Sequence, residues 1–366
     1  MVSLLILGIF ATVVIYWVFK FCVHRPESFP PGPFRIPIVG SYFLLLLIDH
    51  KNLHLAAGKL CKFFKSSVIG FYTGDSLTVV ATDPKSIREV FSNHDFDGRN
   101  DLFIGRLREP NFKVRGIFFS EGDFWKRQRR FSLRHLRDFG FGRRFEDYEI
   151  EVEDELRSLV DMIKEGKPIN EHEKEFLRND GELLLPKALI GSLSNCFFAV
   201  LCGEKFLRVD QAQVFKAGQG SMDFQIYSNE YGKLLSFVPW IRFVFPKLSS
   251  FNKLRDGSME MCKLMEQVIE KQRKTYEKGR IRNFIDLYIR EIQHSIENDE
   301  KNGFSYDQLL MICTDFLFPS LSAIEATISF LFKNLLYRKD ILRNIQHEID
   351  NVVGSERLPK LDDRVK

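Results

Sequence analysis

Trp125 and Arg129 stand four residues apart in Phe124-Trp125-Lys126-Arg127-Gln128-Arg129-Arg130, directly after the helix-start sequence Ser120-Glu121-Gly122-Asp123. At that spacing the two side chains share one helix face. An indole N–H and a guanidinium pointing the same way suit an anionic group such as a carboxylate or phosphate. Residues 121–144 hold eight Lys/Arg against three Asp/Glu, which reinforces that preference. A cation–π contact or a solvated basic face would explain the same residues.

Chemistry is also possible in Leu309–Leu336, LLMICTDFLFPSLSAIEATISFLFKNLL. The run is apolar on nearly every face, as in a helix buried on all sides. Asp315, Glu325 and Lys333 recur through it and argue against a bilayer span. Ser305 and Gln308 upstream have the spacing of a capping box. Pro319 removes a backbone donor mid-run, so the helix is expected to kink or open there. Ser320 and Ser322 follow at once and put hydroxyls in the distorted turn, where a cofactor or substrate could touch the backbone. The plainer alternative has each Ser bonded back to its own helix. The six cysteines, Cys22, Cys61, Cys196, Cys202, Cys262 and Cys313, form no C-x-x-C pair and no zinc-like grouping. They read as free thiols in a reducing compartment.

The elements that must position these residues are mostly helical. Val2–Phe19 is an apolar run of transmembrane length with no Lys or Arg before it, while Lys20, His24, Arg25 and Arg35 follow. That asymmetry predicts an uncleaved signal anchor over 1–20 with the body in the cytosol. Residues 21–45 form a basic linker stiffened by Pro30-Pro31-Gly32-Pro33 and Pro37. Ser67–Thr82 alternates about Gly74-Asp75 and predicts a β-hairpin, and Asp83-Pro84 then caps a helix through Phe91. Helical periodicity marks 145–165, 185–202, 257–278, 283–294 and 340–352. Residues 46–366 read as one helical body. Ser236–Pro246, strongly apolar and bounded by prolines, fits either the membrane interface, with Trp240 and Arg242 at headgroup level, or ordinary packing. The 36 Phe suit a large helical core or a pocket for a bulky apolar ligand. A net charge of +4 is small for 366 residues, and 126–144 lacks interleaved exposed aromatics, so no nucleic-acid partner is expected.

In order and spacing, these features resemble the cytochrome P-450 monooxygenases of the microsomal type, nearest to insect members. The residues that carry the likeness are the anchor, Pro30-Pro31-Gly32-Pro33, the early hairpin and FDGR at 96–99. Trp125-x-x-x-Arg129, RDFGFG at 137–142, the long central helix and Glu348-Ile349-Asp350-x-Val352-Val353-Gly354 complete it. The resemblance implies a mainly α, triangular fold with a small early β-sheet, and a heme crossed by the 309–336 helix. It makes Trp125 and Arg129 partners of a heme propionate. It implies oxidation of a small apolar substrate by dioxygen, with electrons from an NADPH-dependent reductase, at the endoplasmic reticulum membrane.

The chain departs from the family pattern in two ways. The dioxygen and proton-relay positions fall on Ser320, Ser322 and Ala323; the resemblance implies an acid where Ser322 stands and a relay threonine where Ala323 stands. The Glu-x-x-Arg helix and the loop with the axial Cys, expected after 348–364, are absent, so no metal ligand is assigned. The 366 residues then read as the N-terminal part of a monooxygenase, inactive as it stands and doubtful as a stable heme binder. The alternatives are a non-catalytic truncated form, or an isomerase or dehydratase in a full-length form.

Overall fold

The computed structural model describes residues 2–178, 181–185, 187–228, 233–298 and 303–365. They form a mainly helical chain with a two-stranded antiparallel sheet. Contacts divide the chain into two compact units, Met1–Arg108 with Gln225–Arg255, and Glu109–Phe224 with Asp256–Lys366.

The first unit opens with α1 (Val2–Val23), whose stretch Ile6–Val23 is long and apolar enough to cross a membrane and has no buried residue. β1 (Val68–Thr73) and β2 (Ser76–Ala81) pair as Val68 with Ala81 through Thr73 with Ser76. The two residues between them, Gly74 and Asp75, make the turn, and Gly74 takes the left-handed conformation such a turn needs. Asp83 then caps α2 (Pro84–Ser92), its carboxylate accepting from the N–H of Lys85 and Ser86 at 3.0 Å. In the Ser236–Pro246 stretch, Trp240, Phe243, Val244 and Phe245 are exposed. Arg242 is folded back, with its guanidinium over the rings of Phe103 (4.4 Å) and Phe243 (4.6 Å).

The second unit holds the main core. Its helices are α3 (Gly122–Asp138), α4 (Glu146–Glu165), α5 (Ile190–Cys202), most of α6 (Ala212–Tyr227) and of α7 (Phe251–Lys274), and α8 (Phe284–Glu297). They are followed by α9 (Tyr306–Ser320), α10 (Ala323–Tyr337) and α11 (Lys339–Val352). Leu309 to Cys313 and Leu317 of α9 pack among Phe197, Phe198 and Leu201 of α5 and Tyr288 and Ile289 of α8. On α3 the buried stripe Gln128, Ser132 and Leu136 repeats every four residues, which turns Arg127, Arg129 and Arg130 outward.

The apolar run over 309–336, read as one buried helix, is two helices. Pro319 cannot donate to the carbonyl one turn back, that of Asp315, and the chain steps through Leu321 and Ser322 before α10 begins. Burial also differs between the halves. Ten residues of α9 are buried, whereas Glu325 alone is buried in α10. Phe330, Leu331, Phe332 and Leu336 remain exposed because no described residues cover that face.

Candidate active site

The Trp125–Arg129 pair sits in the first two turns of α3. Arg129 lays its guanidinium over the Trp125 ring, 5.4 Å from the centroid, so the two do share a face. The indole N–H is already used, donating to the Ile117 carbonyl at 2.9 Å. Arg129 is exposed and has no hydrogen-bond partner among the described residues. The pair is thus an oriented cation on an aromatic platform, with its N–H fork open to an anion.

What holds Trp125 lies on α9. Asp315, the lone charge in the buried part of that helix, accepts from the backbone N–H of Ile117 (2.7 Å) and Phe118 (3.0 Å) through Oδ2. Gln308 clasps Gly116 from both sides, accepting from its N–H at 3.0 Å and donating to its carbonyl at 3.1 Å. Arg115 pairs with Glu109 at 3.2 Å and Asp307 at 2.9 Å. Gly116 has φ +81°, and a Cβ there would run into Asp315 Oδ2, so both backbone and space require glycine. The expected capping box forms only in part. Ser305 Oγ accepts from the Gln308 N–H at 3.2 Å, but the Gln308 side chain serves Gly116. Sequence reasoning missed the Asp315–Gln308–Gly116 clamp. The available signal was Asp315 itself, a carboxylate in an apolar helix that must find donors or be neutralised.

At the helix break the hydroxyls are spoken for. Ser320 Oγ donates to the Leu317 carbonyl at 2.6 Å, and Ser322 Oγ to that of Phe318 at 2.8 Å. Both serines are buried, whereas Ala323 is exposed. Glu325, two residues on and so on the opposite side of α10 from Ala323, is 1% exposed with Oε2 lacking a partner. Burial alone pushes its carboxyl up to about 8. The structure therefore does not gather Ser320, Ser322 and Ala323 around one point. It joins the two halves of the candidate site through Asp315, which clamps the loop beneath Trp125 and stands one turn before Pro319.

The cysteines divide by surroundings. Cys61, Cys202, Cys262 and Cys313 are buried. Burial pushes the thiol of Cys196 up to about 11 and that of Cys202 up to about 12, and holds that of Cys313 well above its ordinary value. These three are held as neutral thiols at neutral pH.

Comparison with known proteins gives one consistent result. The family model for Cytochrome P450 matches residues 30–366. Farnesoate epoxidase of Bombyx mori is 27% identical over 345 residues, covering 94% of this chain and 66% of the relative. Probable cytochrome P450 303a1 of Drosophila melanogaster is 31% identical over 358 residues, 94% of this chain and 67% of the relative. Cytochrome P450 2B4 of Oryctolagus cuniculus is 27% identical over 367 residues, 100% of this chain and 70% of the relative. The chain spans about two thirds of the length of the curated relatives it matches.

Proposed function

Because the chain belongs to the cytochrome P450 family, we propose that it serves a heme-dependent monooxygenase that inserts one oxygen atom of dioxygen into a small apolar substrate. Electrons come from an NADPH-dependent reductase. The reading rests on the open Arg129 fork laid over Trp125. Heme, the cofactor of the family, supplies when bound an iron centre that activates dioxygen. Arg129 would hold a propionate by charge-assisted hydrogen bonds. Trp125 orients that guanidinium, and Ile117 and Asp315 fix Trp125. An apolar substrate agrees with the relative named for epoxidation of farnesoate.

The decisive experiment is a heme titration of the full chain in detergent, followed at the Soret band and by a carbon-monoxide difference spectrum. Arg129→Ala is expected to lower heme occupancy well beyond Arg127→Ala, since a hydrogen bond to a charged group is worth roughly 1.5–3 kcal/mol. Equal occupancy in the two variants would return the segment to a plain basic face. On this reading the 366 residues do not turn over by themselves, because none of the six cysteines, Cys22, Cys61, Cys196, Cys202, Cys262 and Cys313, stands in the sequence context of the family's axial-ligand loop. The carbon-monoxide spectrum should lack the band of a thiolate-ligated iron.

The α1 helix anchors the protein in the endoplasmic reticulum membrane with its body in the cytosol, as the basic residues after it favour. Exposed Trp240, Phe243, Val244 and Phe245 add an interfacial contact. Protease treatment of intact microsomes should digest the body and spare only α1.

A second reading draws on Ser320 and Ser322, whose hydroxyls are tied to their own helix, and on Ala323, which has none. A proton relay needs a free hydroxyl or carboxyl. Isomerase or dehydratase chemistry on heme needs no such relay to dioxygen. Turnover by the family's full-length form that is independent of reductase and oxygen would select this reading.

A further inference from the structure

The end of α1, the linker after it and the β1–β2 hairpin are joined by more than chain continuity. Arg35, in the linker, lays its guanidinium over the ring of Phe21 in the last turn of α1, 3.9 Å from the centroid. It also lies over the ring of Tyr72 in β1 at 4.4 Å and pairs with Asp75 in the hairpin turn. Its backbone N–H donates to the Cys22 carbonyl at 2.9 Å, one of the carbonyls that a helix end leaves without an intrahelical partner. A single residue thus touches the helix, the strand and the turn.

The linker is itself folded onto the strand. Arg25 donates to the carbonyls of Pro30 and Pro33, both at 2.9 Å, and to that of Gly32. The Gly70 N–H of β1 donates to the Pro31 carbonyl at 3.0 Å. A Cβ on Gly32 would run into the Gly70 carbonyl, and one on Gly70 into the Phe29 ring, so linker and strand approach too closely for any side chain. Ser41 closes the far end, its Oγ donating to the Phe34 carbonyl at 2.9 Å and its N–H to the Tyr72 carbonyl at 2.6 Å. Prolines alone would make a stiff spacer free to swivel at its ends; these contacts remove the swivel.

We infer that Arg35 is a latch between α1 and the hairpin, so that the helix leaves the first unit in one fixed direction instead of on a free tether. A guanidinium suits the task because its plane can lie on aromatic rings while its N–H fork holds a carboxylate, which an ammonium cannot do. The fixed direction sets which face of the first unit meets the bilayer. That consequence rests on the reading of α1 as the membrane anchor.

The test is a spin-label distance measurement on the full 366-residue chain in detergent. Labels go on Phe10→Cys in α1 and Leu77→Cys in β2, both exposed, with Cys22 and Cys196, the two cysteines that are not buried, replaced by Ala. One narrow distance distribution is expected. Arg35→Ala should broaden it by on the order of 10 Å, within the reach of a freed linker of this length. Phe21→Ala removes only the ring on α1 and should broaden it too; it decides the matter if Arg35→Ala lowers the melting temperature of the body. A broad distribution in the unsubstituted latch, or an unchanged width in folded Arg35→Ala and in Phe21→Ala, would overturn the inference. Carbonate extraction of membranes carrying the chain checks the anchor separately: release of the wild-type chain would overturn the anchor reading alone, and the distances would still judge the latch.

Discussion

At the scale of single residues, Glu325 is the most exposed to test because its chemistry is simple. The carboxyl is buried, has no partner for Oε2, and titrates at about 8 against an ordinary 4.5. Between those values the folded chain keeps the proton and the unfolded chain has released it, so stability falls as pH rises from about 4.5 to 8 and then levels off. Chemical denaturation of wild type and Glu325→Met across pH 4 to 9 should show curves that diverge through that window. The variant gains on the order of a few kcal/mol at the alkaline end; parallel curves would mean that Glu325 finds a counter-charge. Ala323 offers a second residue-level test. In a full-length form, Ala323→Thr should raise product formed per NADPH consumed, since general acid–base help is typically worth ~10²–10⁴ in rate. No change would assign the proton to another group.

At the scale of elements, the clamp between α9 and residues 115–118 is the feature that positions Trp125. Asp315→Asn keeps the size but can no longer offer a carboxylate to both Ile117 and Phe118. With Trp17 and Trp240 replaced by Phe, the emission of Trp125 should shift red and become more quenchable, and stability should drop by about 1–3 kcal/mol. Gly116→Ala should give the same spectral change by another route, through its positive φ and its collision with Asp315. Unaltered emission in both would detach α9 from the site. These elements also show how far the sequence can be read. The hairpin about Gly74-Asp75 and the Asp83-Pro84 helix start were legible because turn and cap chemistry is local. The helices within 145–165, 185–202, 257–278, 283–294 and 340–352 were legible from periodicity. The clamp was not, because Gln308 and Gly116 lie 192 residues apart and nothing local marks the pairing. Trp125 and Arg129 were legible as a pair from their spacing, whereas the use of the indole N–H by Ile117 depends on a loop no periodicity describes.

At the scale of the molecule, the apolar faces of α10 and α11 dominate. Phe330, Leu331 and Leu336 on α10, with Ile341, Ile345 and Ile349 at four-residue spacing on α11, are all exposed. Contiguous exposed apolar surface of this kind drives association. The chain produced without its α1 helix should therefore sediment as a concentration-dependent mixture of oligomers, and Ile345→Lys with Leu331→Lys should shift it toward monomer. A monodisperse monomer without those substitutions would show the faces to be shielded.

The break after Ser320 divides a well-packed helix from a poorly packed one, and the two need not melt together. Amide protons of α9, enclosed by α5 and α8, should exchange with deuterium only when the whole unit opens. Those of α10 and α11 should exchange orders of magnitude faster, through local openings that stop where Pro319 interrupts the hydrogen-bond ladder.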